Sequence, residues 1–268
     1  MSVKISVLMG IYNCADTLPE AIDSLLAQTE KDWELILCDD GSEDGTVDVA
    51  MEYQRRFPDQ IILLRNPYNM GLNYTLNRCL AQAKGTYIAR MDGDDISLPG
   101  RLEAEASALD ADPEIAIVSC PMIYFDENGP WGQGKMKPFP EKQDFLRGTP
   151  FCHAPCMVRE AAFASVGGYA EDSKLLRVED YDLWTRMYAA GFRGRNLDTP
   201  LYMMRDDRNA IKRRKFRYRI NEFYARARAV KLLKLPVWGY GVALRPVLIG
   251  LLPEPVYRML HRRRLRKN

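Results

Sequence analysis

A chain of 268 residues is long enough to bury the core of one large α/β domain, alone or with an extension. Its hydrophobic fraction of 47% is that of an ordinary globular protein, and its six cysteines stand without a paired framework, which argues against a disulfide-stapled scaffold. The net charge of +2 hides an asymmetry: residues 205–268 hold 19 of the 38 basic side chains but 4 of the 36 acidic ones, so an acidic body precedes a basic tail expected to face an anionic partner.

The chain opens without a secretory leader pattern, Met1-Ser2-Val3-Lys4-Ile5 running straight into a strand, and a cytoplasmic protein is expected. Residues 4–11 (KISVLMGI) read as that strand, and 18–28 place Leu18, Ala21, Ile22, Leu25 and Leu26 at helical spacing. Residues 34–38 form a second strand ending in Asp39-Asp40-Gly41-Ser42, a turn followed by a helix start. A helix near 47–56, a strand at 61–64, a helix near 73–83 and a strand at 86–90 follow. This alternation predicts an α/β fold, Rossmann-like, with a mostly parallel sheet and helices on both faces. In such sheets ligands bind beyond the carboxyl ends of the strands.

Three polar motifs stand at three of those ends: Gly10-Ile11-Tyr12-Asn13, Asp39-Asp40-Gly41-Ser42 and Asp92-Gly93-Asp94-Asp95. Three carboxylates within four positions raise one another's pKa and resist burial unless a bound cation, an arginine cluster or solvent lies among them. Neither GxGxxG after the first strand nor GxxxxGK[ST] is present. A phosphate-bearing ligand here would need another way to neutralise its charge, and a divalent metal held by hard carboxylate oxygens supplies one.

Other readings of the same residues were weighed. Residues 92–103 have the length of an EF-hand loop, but Ser97 stands where its sharp turn needs glycine. An aspartyl-phosphatase nucleophile would not follow so much of the sheet, and a solvated loop remains open. Asp39-Asp40-Gly41-Ser42 alone serves equally as a turn and helix cap. Cys152, His153 and Cys156 lie too close in sequence to wrap zinc easily, and no second cluster accompanies them.

Taken together, Ser6 to Asn13, Asp39-Asp40-Gly41-Ser42, Asn69-Met70-Gly71-Leu72, Asp92-x-Asp94 and Glu179-Asp180-Tyr181-Asp182-Leu183-Trp184 resemble family 2 glycosyltransferases of the GT-A fold, in that family's order across residues 3–205. The resemblance implies inverting sugar transfer from a nucleotide-diphosphate sugar, with a lean to UDP, to an acceptor hydroxyl, and a divalent metal (Mn²⁺ or Mg²⁺) on the diphosphate. It assigns the metal to Asp94, and Asp92 to the ribose or the metal. Asp40 would accept a hydrogen bond from the base, with Tyr12 packed near it, while Asp95 is expected only to cap the next turn. Asp180, at the start of an apolar helical pattern where the helix dipole favours the ionised form, would be the general base. Glu179 would orient its neighbours. His153 falls near the acceptor side, with ordinary packing as its rival role. Where many relatives carry a histidine, this chain reads Met203-Met204-Arg205-Asp206-Asp207, leaving Arg205 as a candidate charge partner.

The implied product is a bacterial surface polysaccharide built on a lipid-linked acceptor. Two alternatives are kept. Transfer to a polyprenyl phosphate would need no base and would depend less on Asp180. A catalytically inactive sugar-nucleotide binding protein would bind donor without turnover.

Residues 206–268 are read separately, as a basic amphipathic extension of the 1–205 catalytic domain. Residues 212–235 place Phe216, Ile220, Phe223, Ala227, Val230 and Leu233 three or four apart among arginines and lysines. Residues 237–252 are apolar and aromatic but too short and interrupted to span a bilayer, and 261–267 are almost all basic. The expectation is peripheral association with the anionic inner face of the cell membrane. The competing alternative is that the first helix packs back on the body. Nucleic acid is not expected as partner, since no recognition module accompanies the basic run.

Overall fold

The computed structural model describes residues 3–206 and 216–251. The elements run β1 (Ile5–Ile11), α1 (Leu18–Leu26), β2 (Trp33–Asp39), α2 (Thr46–Arg56), β3 (Ile61–Arg65), α3 (Leu72–Leu80), β4 (Tyr87–Arg90), β5 (Ile96–Ser97), α4 (Arg101–Ala111), β6 (Ile115–Ser119), β7 (Met122–Asp126) and β8 (Gly129–Gln133). There follow β9 (Met157–Arg159), α5 (Glu160–Val166), α6 (Glu179–Ala189), β10 (Arg193–Asn196), β11 (Tyr202–Arg205), α7 (Phe216–Leu232), α8 (Gly239–Ala243) and α9 (Arg245–Gly250). The expected elements through β4 match the observed ones to within three residues.

Seven strands form the main sheet in the order β10-β6-β9-β4-β1-β2-β3. All pairs are parallel except those of β9, which runs against both β4 and β6. Side chains alternate across the pleat and feed two cores. Ile5, Val7 and Met9 of β1 join Leu35 and Leu37 of β2 against α1 and α4, whereas Leu8, Ile36 and Cys38 face α3, α5 and α6. A second sheet, β5-β11-β7-β8, was not foreseen and packs beside the cleft.

Alpha7 closes the second core. Ala225, Ala229 and Leu233 are buried in it, Asn221 Nδ2 donates to the carbonyls of Ser173 and Leu176, and Arg228 pairs with buried Asp182 of α6 at 3.2 Å. The extension expected from residue 206 onward therefore divides. Alpha7 belongs to the body's packing, while α8 and α9 leave Tyr240, Leu244, Leu248 and the flanking Val237, Trp238 and Leu251 exposed. The basic run at 261–267 lies outside the described residues.

Alpha4 carries a buried charge with a measurable consequence. Both carboxylate oxygens of Glu105 are buried without a hydrogen-bond partner among the described residues, and burial pushes its pKa up to about 8 against the attraction of Arg101. The folded state thus holds a proton that the unfolded chain releases near 4.5, so stability falls as pH rises between about 4.5 and about 8. Glu105→Gln keeps the shape and removes the titration. Thermal melts at pH 5 and pH 8 should show a smaller decline in the variant than in the wild type.

Candidate active site

Loops leaving β1, β2 and β4 interlock above the sheet. Asn13 takes a left-handed backbone at φ 47°, its amide donates to Ser42 Oγ, and its Oδ1 accepts from the Glu43 amide. Thr17 Oγ1 donates to the carbonyl of Gly93 at 3.1 Å. Gly41 is required where it stands: its φ is 76°, and a Cβ there would lie 2.6 Å from the Tyr68 carbonyl carbon. The result is a cleft of about 400 Å³ lined by Tyr12, Asn13, Asp16, Asp92, Asp94 and Arg205, among others.

Asp39 and Asp40 divide their work. Asp39 caps its own turn by accepting from the amides of Gly41 and Ser42. Asp40 is buried and receives Asn66 Nδ2 and the Met70 amide on Oδ1, at 2.7 Å each, and the Gly71 amide on Oδ2 at 3.0 Å. This explains the spacing of the motif at 69–72: its amides tie the loop before α3 to the end of β2. A carboxylate has about four acceptor positions, so three accepted bonds leave room for one donor from a ligand.

At the end of β4 the positive group among the aspartates is a neighbour in sequence, Arg90, which is buried and whose Nη2 bonds to Asp92 Oδ1. Asp94 is exposed at the cleft, and partial burial of its carboxyl together with Asp92 raises its pKa. Asp95 does more than cap a turn, correcting the expectation. At 2% exposure it accepts from Tyr202 Oη (2.9 Å) and from the Arg205 amide (2.8 Å), joining the aspartate loop to β11. Burial, with Asp92 and Asp94 beside it, pushes its pKa up to about 8. Tyr202 in turn accepts from the Asp92 amide at 3.1 Å.

Asp180 stands in the first turn of α6. Burial and the neighbouring Glu179 push its pKa up to about 6, while the Thr149 hydroxyl and the charge of Arg90 pull the other way. Arg90 therefore bonds to Asp92 and contributes a charge felt at Asp180. His153 is packed rather than poised. Its Nε2 lies 2.9 Å from Tyr169 Oη, its ring meets Trp184 edge-on, and burial beside Arg90 holds its pKa well below the usual histidine value.

The pair Asp92 and Asp94 fits a divalent cation, because an exposed carboxylate whose proton affinity is raised by its neighbour is relieved by added positive charge. No group of three His, Cys, Asp or Glu among the described residues could hold a metal unaided. Donor oxygens and water would have to complete the shell, as Mg²⁺ and Mn²⁺ accept. Sequence reasoning passed over Arg90, Tyr202 and Thr149. Of these only Arg90 carried a signal, a cation two residues before the first aspartate.

The parallel-rich sheet carries an acidic cleft at its strand ends, and Asp180 lies in the first turn of α6. Residues 6–167 match the family described as Glycosyl transferase family 2, and the chain belongs to that family. It is 43% identical over 262 residues to the putative glycosyltransferase EpsE of Bacillus subtilis, covering 98% of this chain and 94% of that one. It is 30% identical to the UDP-Gal:alpha-D-GlcNAc-diphosphoundecaprenol beta-1,3-galactosyltransferase of Escherichia coli, covering 83% and 82% of the two chains. In fold it is similar to residues 1–349 of S. aureus TarS in complex with UDP-GlcNAc, with a TM-score of 0.72, 18% identity, and 94% and 77% of the chains covered.

Tyr202→Phe removes the hydroxyl that both donates to Asp95 and accepts from the Asp92 amide. Two buried groups lose a partner, so the variant should be less stable by about 1–3 kcal/mol. Chemical denaturation measures that loss, and titration with UDP and Mn²⁺ should show weaker binding because the aspartate loop keeps only its Arg205 ties to β11.

Proposed function

We propose that the protein transfers a sugar, with inversion, from a nucleotide-diphosphate donor, UDP-sugar by preference, to a hydroxyl of a lipid-linked glycan in surface polysaccharide synthesis. Asp180 carries the reading: a carboxylate whose proton affinity is raised toward neutrality, linked through Arg90 to the aspartates of the donor cleft. An acceptor hydroxyl has a high pKa, and a base tuned in this way can take its proton as attack proceeds. Tyr12 and Asp40 would hold the base of the nucleotide, and Asp92 and Asp94 would hold a divalent metal at the diphosphate end. Such a cation, when bound, stabilises the negative charge that gathers on the departing diphosphate. The galactosyltransferase activity for which the E. coli relative is named and the UDP-GlcNAc bound to TarS support the choice of donor.

Asp180→Asn should bind donor nearly as the wild type does while losing on the order of 10²-fold or more in transfer. The wild-type rate should fall as pH drops below about 6, because the base must be ionised. Isothermal titration and a pH–rate profile separate the two effects; a collapse of donor affinity in the variant would put Asp180 in the donor site instead. Asp94→Asn should abolish metal-dependent turnover without unfolding the chain, and undiminished wild-type activity in EDTA would remove the metal from the reading.

No helix among the described residues is long and apolar enough to cross a membrane. Peripheral attachment to the anionic inner face of the membrane is supported by the exposed Val237, Trp238, Tyr240, Leu244, Leu248 and Leu251, which the sequence follows with Arg262-Arg263-Arg264. Replacing Trp238 and Leu248 together by serine should reduce flotation with anionic vesicles and leave the melting temperature unchanged. Raising salt should weaken the wild type's binding without abolishing it.

A further inference from the structure

Arg205 enters the cleft as a cation on an otherwise acidic wall of Asp16, Asp44, Asp92 and Asp94. Four contacts hold it. Its amide donates to Asp95, its Nε donates to the Asp94 carbonyl at 2.9 Å, its guanidinium lies 4.5 Å from the centre of the Phe125 ring, and its Nη2 meets Glu20 Oε2 at 2.6 Å. The first three belong to the aspartate loop and the second sheet. The fourth comes from the first turn of α1.

The two sides of the ion pair are unequally fixed. Glu20 is 55% exposed in its side chain and Arg205 is 30% exposed, with three other ties. An exposed pair of this kind is worth little. A diphosphate offers the same guanidinium charge-assisted hydrogen bonds from a more highly charged partner. When the two anions compete, Glu20 is the one that can leave, because Arg205 is already seated on Phe125 and the Asp94 carbonyl.

We propose that Glu20 and Arg205 form an exchangeable latch, in which the Glu20 carboxylate occupies the place on Arg205 that a nucleoside diphosphate takes on binding. The inference rests on the donor reading given above and adds a residue of α1 to it. No bond is made or broken. One carboxylate leaves a guanidinium for water and a phosphoryl oxygen replaces it. The latch keeps a cation available at the cleft without letting it collapse onto Asp92 or Asp94, and it discriminates in favour of ligands carrying enough charge to displace a carboxylate.

The test is a double-mutant cycle with UDP in Mn²⁺, GDP and dTDP being run alongside, and uridine followed by ligand-observed NMR as the uncharged control. Glu20→Gln should tighten UDP about two- to fivefold, the scale of an exposed ion pair. Arg205→Gln should weaken it by about tenfold or more, the scale of a charge-assisted hydrogen bond. The Glu20→Gln gain should vanish in the Arg205→Gln background, and uridine should respond to neither change. Thermal melts confirm that each variant is folded, with Arg205→Lys as the milder replacement should Arg205→Gln melt early. Binding of UDP unchanged or weakened by Glu20→Gln, or a gain that persists without Arg205 or extends to uridine, overturns the latch alone. Failure of the wild type to bind UDP, GDP or dTDP overturns the donor reading and the latch with it.

Discussion

Arg90 is almost wholly buried, and its guanidinium is the positive charge around which the carboxylates of the cleft are arranged. A buried ion pair is sustained only where geometry and further hydrogen bonds offset desolvation. Here the backbone supplies the geometry: the Arg90 amide donates to Cys156 of the chain leading into β9, and its carbonyl accepts from Arg101 Nη1. Arg101 in turn lies over the Tyr202 ring, whose hydroxyl serves Asp95 and the Asp92 amide. The aspartate loop and both sheets are thereby joined through contacts that converge on Arg90. Electrostatic preorganisation of this kind requires that charged groups not have to reorganise when substrate arrives.

The main sheet was legible because its strands are apolar runs and its helices keep a clean period. Beta1 and β2 are buried along nearly their whole length, and α1 buries the very residues, Leu18, Ala21, Ile22 and Leu25, that its spacing selects. The second sheet was not, for a physical reason. Beta5 has two residues and β8 reads Gly-Pro-Trp-Gly-Gln, so neither has room for a period, and both exist only because β11 and β7 lie between them. Asp95 went the same way. A third aspartate in a loop looks like a cap until β11, more than a hundred residues later, delivers Tyr202 and the Arg205 amide to it. Asp180 and Asp94 were singled out by a resemblance of motifs, which says nothing of the Arg90 charge that acts on both.

The acidic body and basic tail, so conspicuous in the sequence, are partly reconciled within the fold. Arg228 meets Asp182, which Arg186 also holds at 2.6 Å. Arg226 bonds to Glu222 and to the Leu146 carbonyl. Asp182 lies two residues from Asp180, and the segments that α7 grips, around Leu146 and between Ser173 and Leu176, lead on one side to Thr149 and on the other to Glu179. Part of the tail's charge therefore serves to fix the start of α6. The proposed attraction to an anionic surface then falls to other residues of the same segment, with its apolar contribution on the exposed side chains of α8 and α9. Two jobs that sequence composition lumps together are separated in space. Changes on α7 should be felt in the core and around Asp180, whereas changes at the exposed side chains of α8 and α9 should be felt at the surface.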